Sequence, residues 1–346
     1  MAKIFYSING QGMGHVMRSK PIIEYLSRKH SLSIFASGKA YRFLRSRYPV
    51  HHLWYYHLIY INNTVNIFLT FLLGTLQLPF LWIYHSKVAY SIVKEKPDLI
   101  ISDFEPSLIY WGWILHVPVI NIDNQHTLYG TKIVVPPRYH SAYKWARAAI
   151  RFVVPYARTC ISTTFFYPQK TLKNLYLVPP ILRNEIRSLK SRDDHVILVY
   201  QTSKSNLELL HVLEQIPEQF IVYGFGKKAS KKNIEFKELN EKTFYNDLAR
   251  CKAVICNSGF TLLSEALYLR KPMFCTVIGH QFEQIVNGMY IERLGYGKFS
   301  ENVKKNEIVE FLKNLKQYKK NLMRYRREDN RKLFSLLDQF IREYSR

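Results

Sequence analysis

The stretch 253–287, AVICNSGFTLLSEALYLRKPMFCTVIGHQFEQIVN, limits what this chain can fold into. Residues 253–256 read as a buried strand, Asn257-Ser258-Gly259 as a small-residue turn, and 261–270 as a helix. A second short strand over 273–277, a polar loop and a helix from Phe282 follow. Strand, turn and helix in this succession make a parallel α/β sheet. The turn puts backbone N–H groups and a helix N-terminus at the carboxyl end of a strand, where such sheets bind anions. Glu265 lies one helical turn beyond Thr261, so the two share a face. A carboxylate there accepts both hydroxyls of a ribose while the helix end, at Ser258, Gly259, Phe260 and Thr261, faces phosphates. The next loop, with Gln281, Glu283, Gln284 and Asn287, carries hydrogen-bonding side chains suited to a sugar.

Ser258-Gly259-x-Thr261-x-x-x-Glu265, then Lys271-Pro272, then Gln281-x-Glu283-Gln284-x-x-Asn287, resembles the donor-binding motif of GT-B glycosyltransferases. The likeness is strongest to the group containing the lipid-linked N-acetylglucosaminyl transferase of peptidoglycan synthesis and its archaeal and bacterial relatives. Two departures stand out: Ser-Gly replaces the usual Gly-Gly, and Lys271 replaces the usual Gly before Pro.

Near the amino terminus, the apolar run at 3–8 predicts a buried parallel strand. It ends in Asn9-Gly10-Gln11-Gly12-Met13-Gly14-His15, with a helix expected from about Val16 to Arg28. The glycines allow close backbone approach to a ligand. The spacing is GxGxGH and no acidic residue closes the following strand, so a dinucleotide fingerprint fits poorly. Gly12, Gly14, His15 and the following Arg resemble the acceptor-side loop of the same transferases, which implies His15 as the general base. Strands at 97–103 and 119–123 end in Asp103-Phe104-Glu105 and Asp123-Asn124-Gln125-His126. Asp103 is the candidate partner that orients and charge-stabilises His15. Glu105 and His126 are further acceptor-side candidates. A second hydroxyl-rich turn, with Thr202 and Ser203 opening a helix, suits a diphosphate.

Lys and Arg exceed Asp and Glu by 50 − 26, a net charge of +24. Such a field draws anionic lipid, phosphorylated substrates or nucleic acid. No nucleic-acid motif appears and the basic residues are dispersed, which disfavours the last. The four Cys lack metal-site or CxxC spacing and read as reduced core thiols, which implies a cytosolic setting; no secretory signal precedes the strand at Lys3. Residues 53–84 are rich in Trp, Tyr, Phe and Leu, and 65–84 lack formal charge, long enough to span a bilayer. The flanking strands belong to one sheet and must stay on one side, so a partly inserted, monotopic segment is expected instead.

The reading is a GT-B α/β fold of two Rossmann-like domains with an interdomain cleft: 1–180 for the acceptor and membrane, 181–325 for the nucleotide sugar. A terminal helix, 326–346, crosses back to the first domain. The last strand of the first domain is expected at 159–163 and the linker at 177–184. The resemblance implies an inverting transferase using a UDP-linked donor and a lipid or polyprenyl-linked acceptor at the cytoplasmic face of an anionic membrane. No DxD pair suited to a divalent cation occurs in the donor region, so neither metal nor cofactor is expected. A nucleotide-sugar 2-epimerase of the same fold and a non-catalytic, membrane-docked binder of nucleotide sugar or nucleic acid are the rival readings.

Overall fold

The computed structural model describes residues 1–54, 60–61, 64–65, 78–202, 207–226, 229–277 and 281–345, with backbone only at 60–61, 64–65 and 78–84. The chain divides into two compact units. One is built from Met1–Ile61, Val65–Arg183 and Glu328–Arg346, the other chiefly from Asn184–Arg327.

The strands in chain order begin with β1 (Lys3–Ile8), β2 (Ser31–Ser37), β3 (Val50–Leu53), β4 (Tyr60–Ile61) and β5 (Thr64–Val65). Then come β6 (Leu99–Asp103), β7 (Val119–Asp123), β8 (Thr159–Thr163) and β9 (Leu175–Val178). Among the described residues the first unit's sheet is seven-stranded, in the order β3-β2-β1-β6-β7-β8-β9, and its pairings are parallel. β4 and β5 pair with each other.

The alternation of β1 shows how the layers form. Ile4, Tyr6 and Ile8 pack with the helix Met13–Leu26 and the last helix, Arg331–Tyr344. Phe5 faces the opposite layer, with Val88 and Ile92 of the helix Leu78–Glu95 and Leu108 and Ile109 of the helix Pro106–Ile114. In Arg331–Tyr344 the buried residues are Leu333, Leu337, Phe340 and Ile341, the stripe of an amphipathic helix. Tyr25 stacks on Phe334 at 4.0 Å and donates to Asp338 at 2.7 Å. The terminal helix is therefore part of the first unit's core.

The second unit contains β10 (Val196–Tyr200), β11 (Gln219–Tyr223), β12 (Ile234–Lys237), β13 (Ala253–Asn257), β14 (Met273–Thr276) and β15 (Gly297–Phe299). Its described strands are parallel in the order β12-β11-β10-β13-β14-β15. Ile197, Val199, Val222, Ile255 and Phe274 form one core with Phe311 of the helix Lys305–Lys313.

Two expectations need correction. β9 follows β8, so the first sheet runs one strand further and its end occupies the start of the expected linker; the Pro-Pro after Val178 masked the short run LYLV. The first helix starts at Met13, because Gly12 takes an extended conformation (φ −133, ψ 153) at its N-cap. His15 therefore sits in the first turn of that helix. Lys271, which stands in place of the usual Gly before Pro, is buried: its ammonium donates to the Arg192 carbonyl and lies 3.2 Å from Asp193 Oδ1. Most of 53–84, the expected membrane segment, lies outside the described residues. Among the described residues no helix is long and apolar enough to cross a membrane.

Candidate active site

In each sheet the chain reverses direction of growth beside one pair of strands. In the first it happens between β1 and β6, in the second between β10 and β13. Loops that leave such adjacent strands in opposite senses open a crevice at their carboxyl ends. The candidate residues gather at these two places.

At the first, Ile8 pairs with Asp103, so the glycine loop after β1 and the acidic end of β6 are neighbours. Gly10 is required by the fold: a Cβ there would lie 1.9 Å from the Ser37 carbonyl oxygen. Gly12 is not, since a Cβ would meet only the Gly14 nitrogen at 4.0 Å. His15 Nδ1 lies 2.7 Å from Asp103 Oδ1. Asp103 is fully buried, whereas the His15 side chain keeps 13% of its surface. Arg18, one turn along the same helix, forks onto the same carboxylate. Its Nε is 2.8 Å from Oδ2 and its Nη2 bonds Oδ1; Nη1 bonds Asn124 Oδ1. Ser19 donates to Oδ2 at 2.9 Å, and Tyr6 donates to Ser19.

This arrangement decides charge states. Burial pushes the Asp103 carboxyl up, but Arg18 and His15 outweigh burial and hold it at about 2. An ionised Asp103 accepts a hydrogen bond from Nδ1–H of the tautomer whose Nε2 is free to take up a proton. Nη2 of Arg18 is also 2.7 Å from Nδ1. The guanidinium thus balances the charge of the buried Asp103 carboxylate. Arg18 was read from the sequence only as part of the glycine-loop pattern; its distance from Asp103 in the chain hid the role.

Phe104 pays for the geometry. Its φ is 52, the left-handed region that costs a non-glycine residue about 1–2 kcal/mol. The turn is held by Asn9, whose side-chain amide donates to the Phe104 carbonyl at 3.0 Å and whose N–H donates to the Asp103 carbonyl at 3.1 Å. The Phe104 ring is roughly parallel to that of His15, with centroids 6.5 Å apart.

Two acceptor-side candidates are engaged otherwise. Glu105 is buried and caps the helix Pro106–Ile114, its oxygens accepting from Ser107 N at 3.0 Å and Leu108 N at 3.1 Å. Burial raises its carboxyl, and the two N–H donors offset that in part. His126 is 1% exposed, with Nδ1 2.6 Å from Asp123 Oδ2. Burial opposes its charge, but Asp123 outweighs burial and raises it well above the usual range. Neither side chain faces open space.

At the second crevice, Asn257 ties three strand ends together. Its Oδ1 accepts from Thr202 N at 3.0 Å, and its amide donates to Gln201 Oε1 at 3.0 Å and Thr276 Oγ1 at 3.3 Å. The sequence places Asn257 only in a turn; its three partners come from the ends of two other strands, β10 and β14. Ser258 is buried and spends both N–H and hydroxyl on the Thr276 carbonyl, while Asn287 donates to the Ser258 carbonyl at 3.1 Å. Ser258 and Asn287 therefore shape the turn. Gly259 is the N-cap of the helix Phe260–Tyr268 and brings no capping side chain. A Cβ on it would meet nothing closer than 3.9 Å. Thr261 is half-buried in the first turn, and Glu265, one turn on, is 3% exposed. Gln281 precedes the helix Phe282–Arg293 and bonds Gln284; Glu283 and Gln284 are half-buried in its first turn. Gly14 lies within the helix Met13–Leu26, Thr202 is exposed, and Ser203 is outside the described residues.

Both units have the fold of GT-B glycosyltransferases. A Phytolacca americana transferase solved with UDP-2-fluoroglucose and pterostilbene superposes with a TM-score of 0.71 at 13% identity, covering 99% of each chain. The spinosyn forosaminyltransferase superposes at 0.68 and 11% identity, covering 98% of this chain and 99% of its own. The sequence matches the family model of glycosyl transferase family 1 over residues 2–316, so the chain belongs to that family and is a glycosyltransferase. It is also 24% identical to a Bacillus cereus UDP-N-acetylglucosamine–N-acetylmuramyl-(pentapeptide) pyrophosphoryl-undecaprenol N-acetylglucosamine transferase, over 72% of this chain and 75% of that protein.

Proposed function

We propose that this transferase moves a sugar from a UDP-linked donor to a lipid-linked acceptor, with inversion and without a metal, at the cytoplasmic face of a membrane. The observation that carries the reading is the 2.7 Å contact between His15 Nδ1 and the ionised, buried Asp103. Nε2 of His15 takes the proton of the acceptor hydroxyl as its oxygen attacks the anomeric carbon. The bond from that carbon to the diphosphate breaks, UDP departs, and the single displacement inverts the centre. Base assistance of this kind is worth roughly two to four orders of magnitude in rate.

The second unit supplies the donor contacts. The Gly259–Thr261 turn and the Thr202-Ser203 turn hold the diphosphate, where backbone dipoles take up charge on the leaving group. Glu265 binds the ribose, and Glu283 and Gln284 meet the sugar hydroxyls. The UDP-linked donor and the polyprenyl acceptor are supported by the Bacillus cereus relative, whose name gives both. A glycine at 259 that the fold does not demand supports close approach of a ligand there.

The test is transfer itself. A panel of nucleotide sugars is incubated with a polyprenyl-diphosphate-linked glycan, and products are read by mass spectrometry with NMR of the new linkage. Transfer from a UDP sugar with an inverted centre is expected. Conversion of the nucleotide sugar in the absence of acceptor would replace this reading with the epimerase.

A further inference from the structure

We propose that the exposed face of the helix His140–Val153, with the adjoining end of the helix Pro106–Ile114, is a docking surface for an anionic lipid bilayer. Of the fourteen residues of His140–Val153 only Ile150 is buried. Trp145 is 76% exposed and Phe152 75%. They are seven residues apart, with Ala148 and Ala149 between them, so they form one apolar stripe. Lys144, Arg147 and Arg151 are exposed along its flank.

The stripe continues onto the neighbouring helix. Tyr110 donates to the Phe152 carbonyl at 2.6 Å, and Trp113 stacks on Tyr156 with centroids 4.1 Å apart. Trp113 and Ile114 are themselves about half exposed. A helix in water normally turns such a stripe inward, and an apolar patch left outside marks an interaction site.

Charge selects the partner. Between Pro106 and Arg183 the one acidic residue is Asp123, which is buried, so this surface offers no negative side chain. A second copy, with the same basic face and a net charge of +24, is repelled. Tryptophan, tyrosine and phenylalanine beside lysine and arginine suit the headgroup boundary of a bilayer. This face is separate in sequence from 53–84. The inference also stands apart from the transfer chemistry: His15→Ala, which tests that reaction, leaves docking unchanged.

The experiment is flotation of the full chain with vesicles of phosphatidylcholine, with and without a third phosphatidylglycerol. Wild type floats with the anionic vesicles at low salt and is released at high salt. The double variant W145S/F152S loses at least tenfold in bound fraction; at three-quarters exposure these changes spare the fold, which circular dichroism verifies. Lys144→Gln, Arg147→Gln and Arg151→Gln each cost about fivefold on anionic vesicles, from about 1 kcal/mol per basic residue near such a surface. Trp fluorescence is quenched by brominated lipid, and the quenching falls in Trp145→Phe, where Trp113 of the same surface is the remaining reporter. Flotation of W145S/F152S equal to wild type overturns the proposal, as does equal binding of wild type to neutral vesicles. Loss of duplex DNA binding or of self-association in the double variant, with flotation intact, assigns the face to that partner instead.

Discussion

Arg18 and Asp103, eighty-five residues apart, are locked in a two-point fork: Nε to Oδ2 at 2.8 Å and Nη2 to Oδ1, the oxygen that also faces His15. A planar guanidinium fits both carboxylate oxygens at once, and a lysine does not. The fork leaves Asp103 one direction to present, toward the imidazole. Arg18 is thus placed to position His15, the base of the proposed reaction.

Removing the imidazole separates catalysis from folding. His15→Ala is expected to lower turnover by about two to four orders of magnitude, with nucleotide affinity by calorimetry unchanged. Turnover equal to wild type would take His15 out of the mechanism.

Acid sensitivity follows from the same cluster. The folded Asp103 value of about 2 lies below its ordinary 3.8, so its contribution is complete above about pH 4 and vanishes as pH falls through 2. The difference amounts to about 2 kcal/mol. Denaturant titrations at several pH values are expected to find that loss in wild type and a smaller one in Asp103→Asn. Arg18→Gln leaves the buried carboxylate without its cation and costs about 3–5 kcal/mol at neutral pH. Arg18→Lys recovers only part of it.

Two glycines predict opposite outcomes. Gly224 has φ 99, and a Cβ would lie 1.7 Å from the Gln201 carbonyl oxygen, so Gly224→Ala must distort the chain and lower the melting temperature. Gly259→Ala meets open space at φ −70 and is expected to keep or slightly raise stability, by up to about 1 kcal/mol. Its effect belongs to donor binding, which calorimetry with UDP is expected to find weakened. A Gly259→Ala protein that binds UDP like wild type would remove the diphosphate from this turn.

Glu265→Ala is expected to weaken UDP binding by about 1.5–3 kcal/mol, the range for a hydrogen bond to a charged group. Glu105→Ala, by contrast, removes a helix cap and costs about 0.5–2 kcal/mol of stability, with turnover at saturating substrates preserved. A catalytic loss from Glu105→Ala without loss of stability would restore it to the site.

The sequence alone determined the local parts. Apolar runs of four to seven residues, each ended by a small or polar turn, gave the parallel α/β class, because period and punctuation are local. The glycine loops and the Thr261–Glu265 spacing are also local, since a helix brings those two onto one face whatever surrounds it. Tertiary structure decided what each polar side chain does. Strand order set β6 against β1, and so brought Asp103 to His15 and Arg18; the same principle joined Asn257 to Gln201, Thr202 and Thr276. It also turned Glu105 into a cap and buried His126 against Asp123, although in sequence both look like Asp103, polar groups at strand ends. Pairing between distant strands depends on how whole layers pack, and no window of sequence contains that information.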